Sequence, residues 1–158
     1  MNHQFLSFCI QDALYAVDVS QVTEILEYSS PVRLPCTIEY VEGLISSRGE
    51  GISVVNLRTK FGMENAEITS KTRIIILEIS KQDETQEEPQ IVTFGAIVDS
   101  VEEVIELEDS LIEPAPKFGN TISGEYIRGI GKKDGQFIIL LDIDKVFSFE
   151  ELVALKKM

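Results

Sequence analysis

Apolar residues occur along this chain mainly in short runs that are separated by turn-forming or acidic residues. Many runs are rich in β-branched residues and span four to eight positions, which is typical of strands rather than helices. They predict strands over Gln4–Ile10, Leu14–Val17, Ile52–Leu57, Arg73–Ile79, Ile91–Val98, Tyr126–Ile130 and Gln136–Ile143. The fold is therefore predicted to be mainly β.

Three segments are predicted to be helical. The first follows Asp18, a candidate N-cap, and its apolar residues fall at helical spacing: Val19, Val22, Ile25 and Leu26. The second covers Ser100–Ile105 after Asp99, another candidate cap. The third is the tail from Ser148, where acidic residues near the start and lysines near the end suit the helix macrodipole.

The stretch Val41–Gly62 contains a dense turn signal. Serines and glycines over Ser46–Gly51 predict a turn that leads into the strand Ile52–Leu57. Arg48 stands inside this turn, where a side chain is held away from the core. Its planar guanidinium suits a carboxylate partner, although a solvated turn arginine is the alternative.

Two further segments are predicted to be loops. Ser80–Gln90 is acidic, contains a proline and shows no periodicity, so it is predicted to be an exposed hairpin loop with the composition of a disordered segment. Lys117–Ser123 follows two prolines and is also predicted to be a loop.

The two halves of the chain resemble each other. Val22–Glu27 matches Val101–Glu106 at an offset of 79, and two later pairs match at an offset of 86: Tyr40–Leu44 with Tyr126–Ile130, and Val54–Leu57 with Leu140–Ile143. Chance similarity of apolar runs is the alternative, but the shared order favours a duplication. We therefore predict one domain over residues 1–158 with approximate repeats 14–62 and 93–148. Two small closed barrels would hide the strand edges.

Composition limits the partners of the chain. Its 158 residues carry a formal net charge of −13, and such a field repels nucleic acid and anionic lipid. No apolar run approaches the ~20 residues of a membrane span, and the start lacks a signal-peptide pattern. Cys9 and Cys36 show no metal-ligand spacing and fit a reducing compartment, although a disulfide between the two is the alternative. These observations predict a cytoplasmic protein that binds neither nucleic acid nor membrane directly.

Each candidate catalytic or ligand-binding motif lacks a residue type that its chemistry requires. His3 is the single histidine, which disfavours a histidine-dependent triad or a histidine-rich zinc site. Gly129–Lys133 lacks the first glycine and the Ser or Thr of a phosphate loop. Asp142 and Asp144 begin like a calcium loop but lack the later ligands. No enzyme activity, cofactor or metal is predicted; a small-ligand or carboxylate-dependent enzyme domain, using Asp142 for example, is the alternative.

Several motifs together resemble the CheW-like domain family of bacterial chemotaxis. They include Tyr15-Ala16-Val17, Val41–Ile45, Arg48-Gly49, Val54–Arg58, Ile112-Glu113-Pro114 and Tyr126–Gly129. The resemblance covers about residues 5–150 and implies two five-stranded, SH3-like barrels with short helices and a C-terminal helix. The chain departs from the family at Ser46-Ser47, where Asn-Leu is usual, and in its longer loop at residues 80–90.

The resemblance also implies a function. Members of the family are non-enzymatic adaptors that join the cytoplasmic tip of methyl-accepting receptors to the regulatory domain of a CheA-type histidine kinase, and the free protein is expected to be a monomer. Positions that match the partner-binding residues of the family are Val22, Glu24, Gly43, Arg48, Arg73 and Gly95. The family's receptor groove lies between the barrels, and the equivalents of Glu24 and Arg48 form an ion pair. Coupling in a non-flagellar pathway, such as surface motility or development, is the alternative.

Overall fold

The computed structural model describes residues 2–35, 38–81, 90–114 and 126–156. Its strands are β1 (Asn2–Ile10), β2 (Ala13–Asp18), β3 (Val22–Glu27), β4 (Val41–Ser47), β5 (Glu50–Asn56), β6 (Arg73–Lys81), β7 (Gln90–Val98), β8 (Ser100–Glu108), β9 (Ile127–Lys133) and β10 (Gln136–Leu141). Its helices are α1 (Leu57–Lys60), α2 (Ile143–Val146) and α3 (Phe149–Lys156). Most of the predicted 80–90 loop, the predicted 117–123 loop and Cys36 lie outside the described residues.

The strands form two five-stranded sheets. Sheet A has the order β8-β1-β2-β10-β9, and sheet B has the order β3-β6-β7-β5-β4. Each sheet contains one parallel pair, β2 with β10 in sheet A and β7 with β5 in sheet B, and its other pairs are antiparallel. The prediction of a mainly β fold built from two five-stranded units is confirmed.

The prediction that these units are closed barrels is wrong. In the described strands, the two outer strands of each sheet do not pair with each other. One isolated bridge per sheet approaches closure: Val32 with Leu44 in sheet B and Glu113 with Ile130 in sheet A. A neighbouring proline keeps each bridge from growing into a longer strand pairing, because a proline has no N–H to donate to a ladder. Pro31 precedes Val32, and Pro114 follows Glu113.

Two of the three predicted helices are wrong as well. Asp18 does cap a turn, since its Oδ1 accepts a hydrogen bond from Ser20 N at 2.9 Å, but this 3-10 turn covers only Val19–Gln21. The chain then enters β3, and after Asp99 it enters β8 directly. Exposure alternates along β3 with a period of two, so pairing with β6 overrides the local capping signal.

Smaller boundary errors occur at the hairpins. The predicted turn over Ser46–Gly51 contains only two loop residues, Arg48 and Gly49, because β4 and β5 extend into it. Ile143, predicted at the end of a strand, begins α2. The predicted C-terminal helix is confirmed as α3.

The largest hydrophobic core lies between the sheets. It joins Tyr15 of sheet A to Phe94 of sheet B and also includes Phe61 and Phe147, and the rings of Phe94 and Phe147 meet edge to face at 5.0 Å. Each sheet has a second, smaller core on its other face. Burial on both faces explains why the central strands are apolar nearly throughout.

The two sheets share one strand order when β8, β1, β2, β10 and β9 are matched with β3, β6, β7, β5 and β4. Each sheet combines a hairpin from one half of the chain with three strands from the other half. Matching bonds occur as well, since Asn56 N donates to Tyr40 O and Asp142 N donates to Tyr126 O, both at 2.8 Å. These features support the internal duplication, which stays a prediction.

Candidate partner-binding site

The tip of the β4–β5 hairpin presents Arg48. Ser47 pairs with Glu50, which leaves a two-residue loop with φ of +53° at Arg48 and +81° at Gly49. Positive φ at both loop positions is the geometry of a type I′ hairpin, which prefers Asn-Gly. Arg48 therefore holds an unfavourable backbone conformation, and 80% of its side chain is exposed.

Glu24 on β3 faces this hairpin tip. Its Oε2 lies 3.8 Å from Arg48 Nε and accepts a hydrogen bond from Ser47 Oγ at 3.3 Å. The contact agrees with the ion pair that the resemblance implies. Ser47 stands where the family usually has a leucine, so its hydroxyl provides a second contact to the Glu24 carboxylate. Because Arg48 is so exposed, the ion pair should stabilise the fold by only about 0–1 kcal/mol.

Three of the predicted site residues share one row across sheet B. Glu24 pairs with Ile76, Ile76 pairs with Gly95, Gly95 pairs with Val54, and Val54 pairs with Gly43. Residues paired in this way lie on the same face of a sheet. The row connects the Glu24 side chain to two buried glycines on other strands.

Both glycines are required by close packing. A Cβ on Gly95 would lie 2.8 Å from Ile74 Cγ2, and a Cβ on Gly43 would overlap the carbonyl oxygen of Val32. Gly43 also has a φ of +143°, which side chains with a Cβ rarely adopt. Neither residue offers a side chain to a partner, so each contributes by shaping sheet B.

The remaining predicted residues lie on the same sheet. Val22 begins β3 and packs against the core between the sheets. Arg73 begins β6 and pairs with Glu27 at the other end of β3. Its Nη1 donates to the carbonyls of Ser70 and Thr72 at 2.8 and 3.0 Å. All six predicted residues therefore belong to sheet B or its hairpin, and a side-chain contact joins Glu24 to Arg48.

Sequence reasoning missed the ion pair of Arg58 and Asp99. Arg58 Nε donates to Asp99 Oδ1 at 3.0 Å and its Nη2 donates to Oδ2, which also accepts from Gln11 N at 2.9 Å. Burial opposes ionisation of Asp99, but these hydrogen bonds outweigh it and place the pKa of Asp99 below its ordinary value. The partners are 41 positions apart, and no sequence motif relates them.

A second missed cluster centres on Glu151 in α3. Its carboxylate accepts hydrogen bonds from Lys60 Nζ at 3.0 Å, from Ser148 N at 2.9 Å and from the Tyr40 hydroxyl. Glu151 N in turn donates to Ser148 Oγ at 3.1 Å, which completes a capping box. The spacing of Ser148 and Glu151 was the available sequence signal. Lys60 is almost buried and lies 4.9 Å from the centre of the Tyr40 ring.

The described residues offer little support for catalysis or metal binding. They contain no cluster of three or more His, Cys, Asp or Glu residues that could hold a metal ion. Asp142 lies 3.4 Å from Lys145 Nζ at the start of α2. Cys9 lines a cavity of about 470 Å³ on sheet A, but burial raises the pKa of its thiol, which donates to Glu102 Oε1 at 3.3 Å. No helix in the described ranges is long and apolar enough to cross a membrane.

The CheW-like domain family matches residues 4–151, which is nearly the whole chain. The chain belongs to this family. It is 30% identical to the Chemotaxis protein CheW of Klebsiella aerogenes over 152 residues, covering 96% of this chain and 86% of that protein. It is 33% identical to the Chemotaxis protein CheW of Thermotoga maritima over 146 residues, covering 90% and 86%.

A solved structure supports the same assignment for this CheW-like chain. The crystal structure of the scaffolding protein TtCheW from Thermoanaerobacter tengcongensis matches with a TM-score of 0.78 and 32% identity, covering 96% of this chain and 91% of that chain. CheW-like proteins are non-enzymatic scaffolds of chemotaxis signalling. The chain is accordingly a chemotaxis adaptor, and the enzymatic alternative is excluded.

Proposed function

We propose that this chain couples methyl-accepting receptors to a CheA-type histidine kinase in a cytoplasmic signalling array. The observation that carries the proposal is the conformation of Arg48 beside Glu24. An arginine occupies a left-handed hairpin position that asparagine would fill with less strain, and its side chain is 80% exposed. A residue that adopts an unfavourable backbone conformation without any gain in packing is typical of a functional surface.

The guanidinium of Arg48 has the chemistry for partner recognition. It carries five N–H donors in a planar fork, and its 3.8 Å contact with Glu24 leaves donors for a carboxylate or carbonyl oxygen of a partner. In this proposal Val22 and Arg73 contribute to receptor binding from the face of sheet B that is turned toward sheet A, opposite the Glu24 row, while Gly43 and Gly95 maintain the shape of the sheet. The regulatory domain of the kinase binds elsewhere on the same monomer, so that one chain holds both partners.

An adaptor of this kind works by proximity. A protein that binds two partners together converts their encounter into an intramolecular event at high effective concentration. No chemical step by the adaptor is needed for this effect.

The test is a reconstituted array that contains receptor cytoplasmic fragments, the kinase and this chain. Kinase autophosphorylation is measured with wild type and with Arg48→Asn, which removes the cation but suits the hairpin. We expect Arg48→Asn to remain folded and to lose most of the receptor-dependent stimulation. Lys145→Asn removes another exposed, ion-paired cation and should couple like wild type. Full stimulation by Arg48→Asn would refute the role of this surface.

A charge swap tests the pair itself. Glu24→Arg and Arg48→Glu should each reduce coupling, because each places like charges beside one another. The double variant should recover part of the loss, since the pair is restored with reversed orientation. A double variant no better than the worse single variant would show that the two side chains act independently.

A further inference from the structure

Helix α3 covers part of sheet B. Ser53 on β5 is 3% exposed, and its Oγ donates to the carbonyl oxygen of Leu155 at 3.0 Å. Leu152 and Leu155 enter the core between the sheets, and α3 packs against β7, where Val92 is 1% exposed. A short amphipathic helix therefore completes the burial of this face of sheet B.

The matching face of sheet A can be located from strand register. The parallel pair β2–β10 of sheet A corresponds to the parallel pair β7–β5 of sheet B. When the pair Leu140–Ala16 is matched with the pair Val54–Gly95, Ile139 on β10 is equivalent to Ser53 on β5. In the same register, Ala13 on β2 is equivalent to Val92 on β7. In contrast to Ser53 and Val92, both Ile139 and Ala13 are only partly buried.

Neighbouring side chains make this face strongly apolar. Phe137 lies two residues from Ile139 on the same strand and so on the same side of the sheet, and it is 67% exposed. Ile130 pairs with Ile139 across the β9–β10 ladder and is partly buried. We call Ala13, Ile130, Phe137 and Ile139 the sheet A face.

We infer that the sheet A face is a docking site for an amphipathic helix of a partner protein. We infer a helix as the binding partner because the equivalent positions of sheet B are covered by helix α3, which inserts Leu152 and Leu155 into the core. The exposed ring at the face belongs to a phenylalanine, one of the aromatic residues that are enriched in protein–protein interfaces. This inference goes beyond the proposed function, since it concerns sheet A rather than the Glu24–Arg48 surface on sheet B.

One local charge suits an acidic residue at the start of such a helix, although the chain as a whole carries a formal net charge of −13. Lys132 is exposed beside the face, and its Nζ lies 5.6 Å from the centre of the Phe137 ring. Acidic residues in the first turn of a helix are stabilised by its macrodipole and would lie beside this ammonium group. Helix α3 itself has this composition, with Glu150 and Glu151 in its first turn.

The probe is a hydrocarbon-stapled peptide with the sequence of residues 148–156, since the isolated segment is too short to be helical in water. Binding to the full chain is followed by amide chemical shifts and by fluorescence anisotropy. We expect shift changes at the sheet A face, and an increase in Kd of about tenfold for Phe137→Ser. Val104→Ser is the matched control, because Val104 is an apolar residue 51% exposed on β8, and its Kd should equal that of wild type.

Three results would overturn the inference. One is no saturable binding below about 1 mM peptide. Another is shift changes confined to the surroundings of Ser53 and Val92, which would mean that the peptide only displaces α3 from sheet B. The third is a dimer in sedimentation that Phe137→Ser abolishes, which would assign the face to a second copy. Arg48→Asn should bind the peptide like wild type, and this separates the inference from the proposed receptor surface.

Discussion

Arg58 and Asp99 connect the two sheets at the end of the molecule where the β1–β2 turn lies. Arg58 belongs to α1, which directly follows β5 of sheet B. Asp99 lies between β7 of sheet B and β8 of sheet A. Asp99 also accepts a hydrogen bond from Gln11 in the β1–β2 turn, and the Arg58 side chain is only 16% exposed. One carboxylate thus joins three chain segments.

Asp99→Asn should destabilise the fold by about 1–3 kcal/mol, because it weakens or removes the three hydrogen bonds that the carboxylate accepts and leaves the Arg58 cation largely buried without its counterion. The measurement is urea unfolding at neutral pH. Glu78→Gln removes an exposed carboxylate on β6 and should change the free energy of unfolding by less than about 0.5 kcal/mol. Equal effects of the two substitutions would contradict the assigned role of Asp99.

Glu151 should make stability depend on pH. Burial opposes its ionisation, but hydrogen bonds from Ser148, Tyr40 and Lys60 outweigh burial, so its pKa in the folded state lies below the ordinary value. The stabilisation is therefore complete above the unfolded pKa of about 4.3 and is lost as the pH falls through the lower folded value. Urea unfolding of wild type and Glu151→Gln should differ most near neutral pH and converge in acid. A difference that does not vary with pH would contradict this mechanism.

Gly43→Ala should destabilise the fold by about 2–5 kcal/mol, through backbone strain and overpacking. The added methyl would overlap the Val32 carbonyl and disturb the bridge to Leu44. Gly51→Ala is the control on the neighbouring strand, since its Cβ would make one ordinary contact at 3.8 Å. Thermal unfolding of both variants tests the prediction, and a tolerated Gly43→Ala would show that the Val32 segment can move aside.

Arg48→Asn should raise the free energy of unfolding by about 0.5–1 kcal/mol relative to Arg48→Ala, because asparagine tolerates the left-handed conformation better. The loss of the exposed ion pair with Glu24 is common to both variants and so cancels in the comparison. The measurement is calorimetric unfolding of the two variants, which compares their free energies of unfolding. A more stable Arg48→Ala would indicate that the hairpin does not retain its type I′ geometry.

The sequence alone was sufficient for a strand that is apolar on both faces, such as β6, because burial on both sides leaves a continuous run of isoleucine and leucine over residues 74–77. It also identified the Arg48 turn, whose glycine is required by local backbone geometry. The match of Glu24 with Arg48 came from family resemblance, since 24 positions separate them in the chain. These features depend on local conformation or on motifs that relatives share.

Tertiary structure decided the rest. Asp18 and Asp99 carry good capping signals, yet β3 and β8 follow them because pairing with β6 and β1 provides more hydrogen bonds and burial than an isolated turn of helix. Arg58 meets Asp99 only because two sheets from interleaved halves of the chain are packed together. Helix α3 packs on β7 of sheet B and leaves Phe137 on sheet A exposed, a choice between similar faces that is made by long-range contacts and not by local preference.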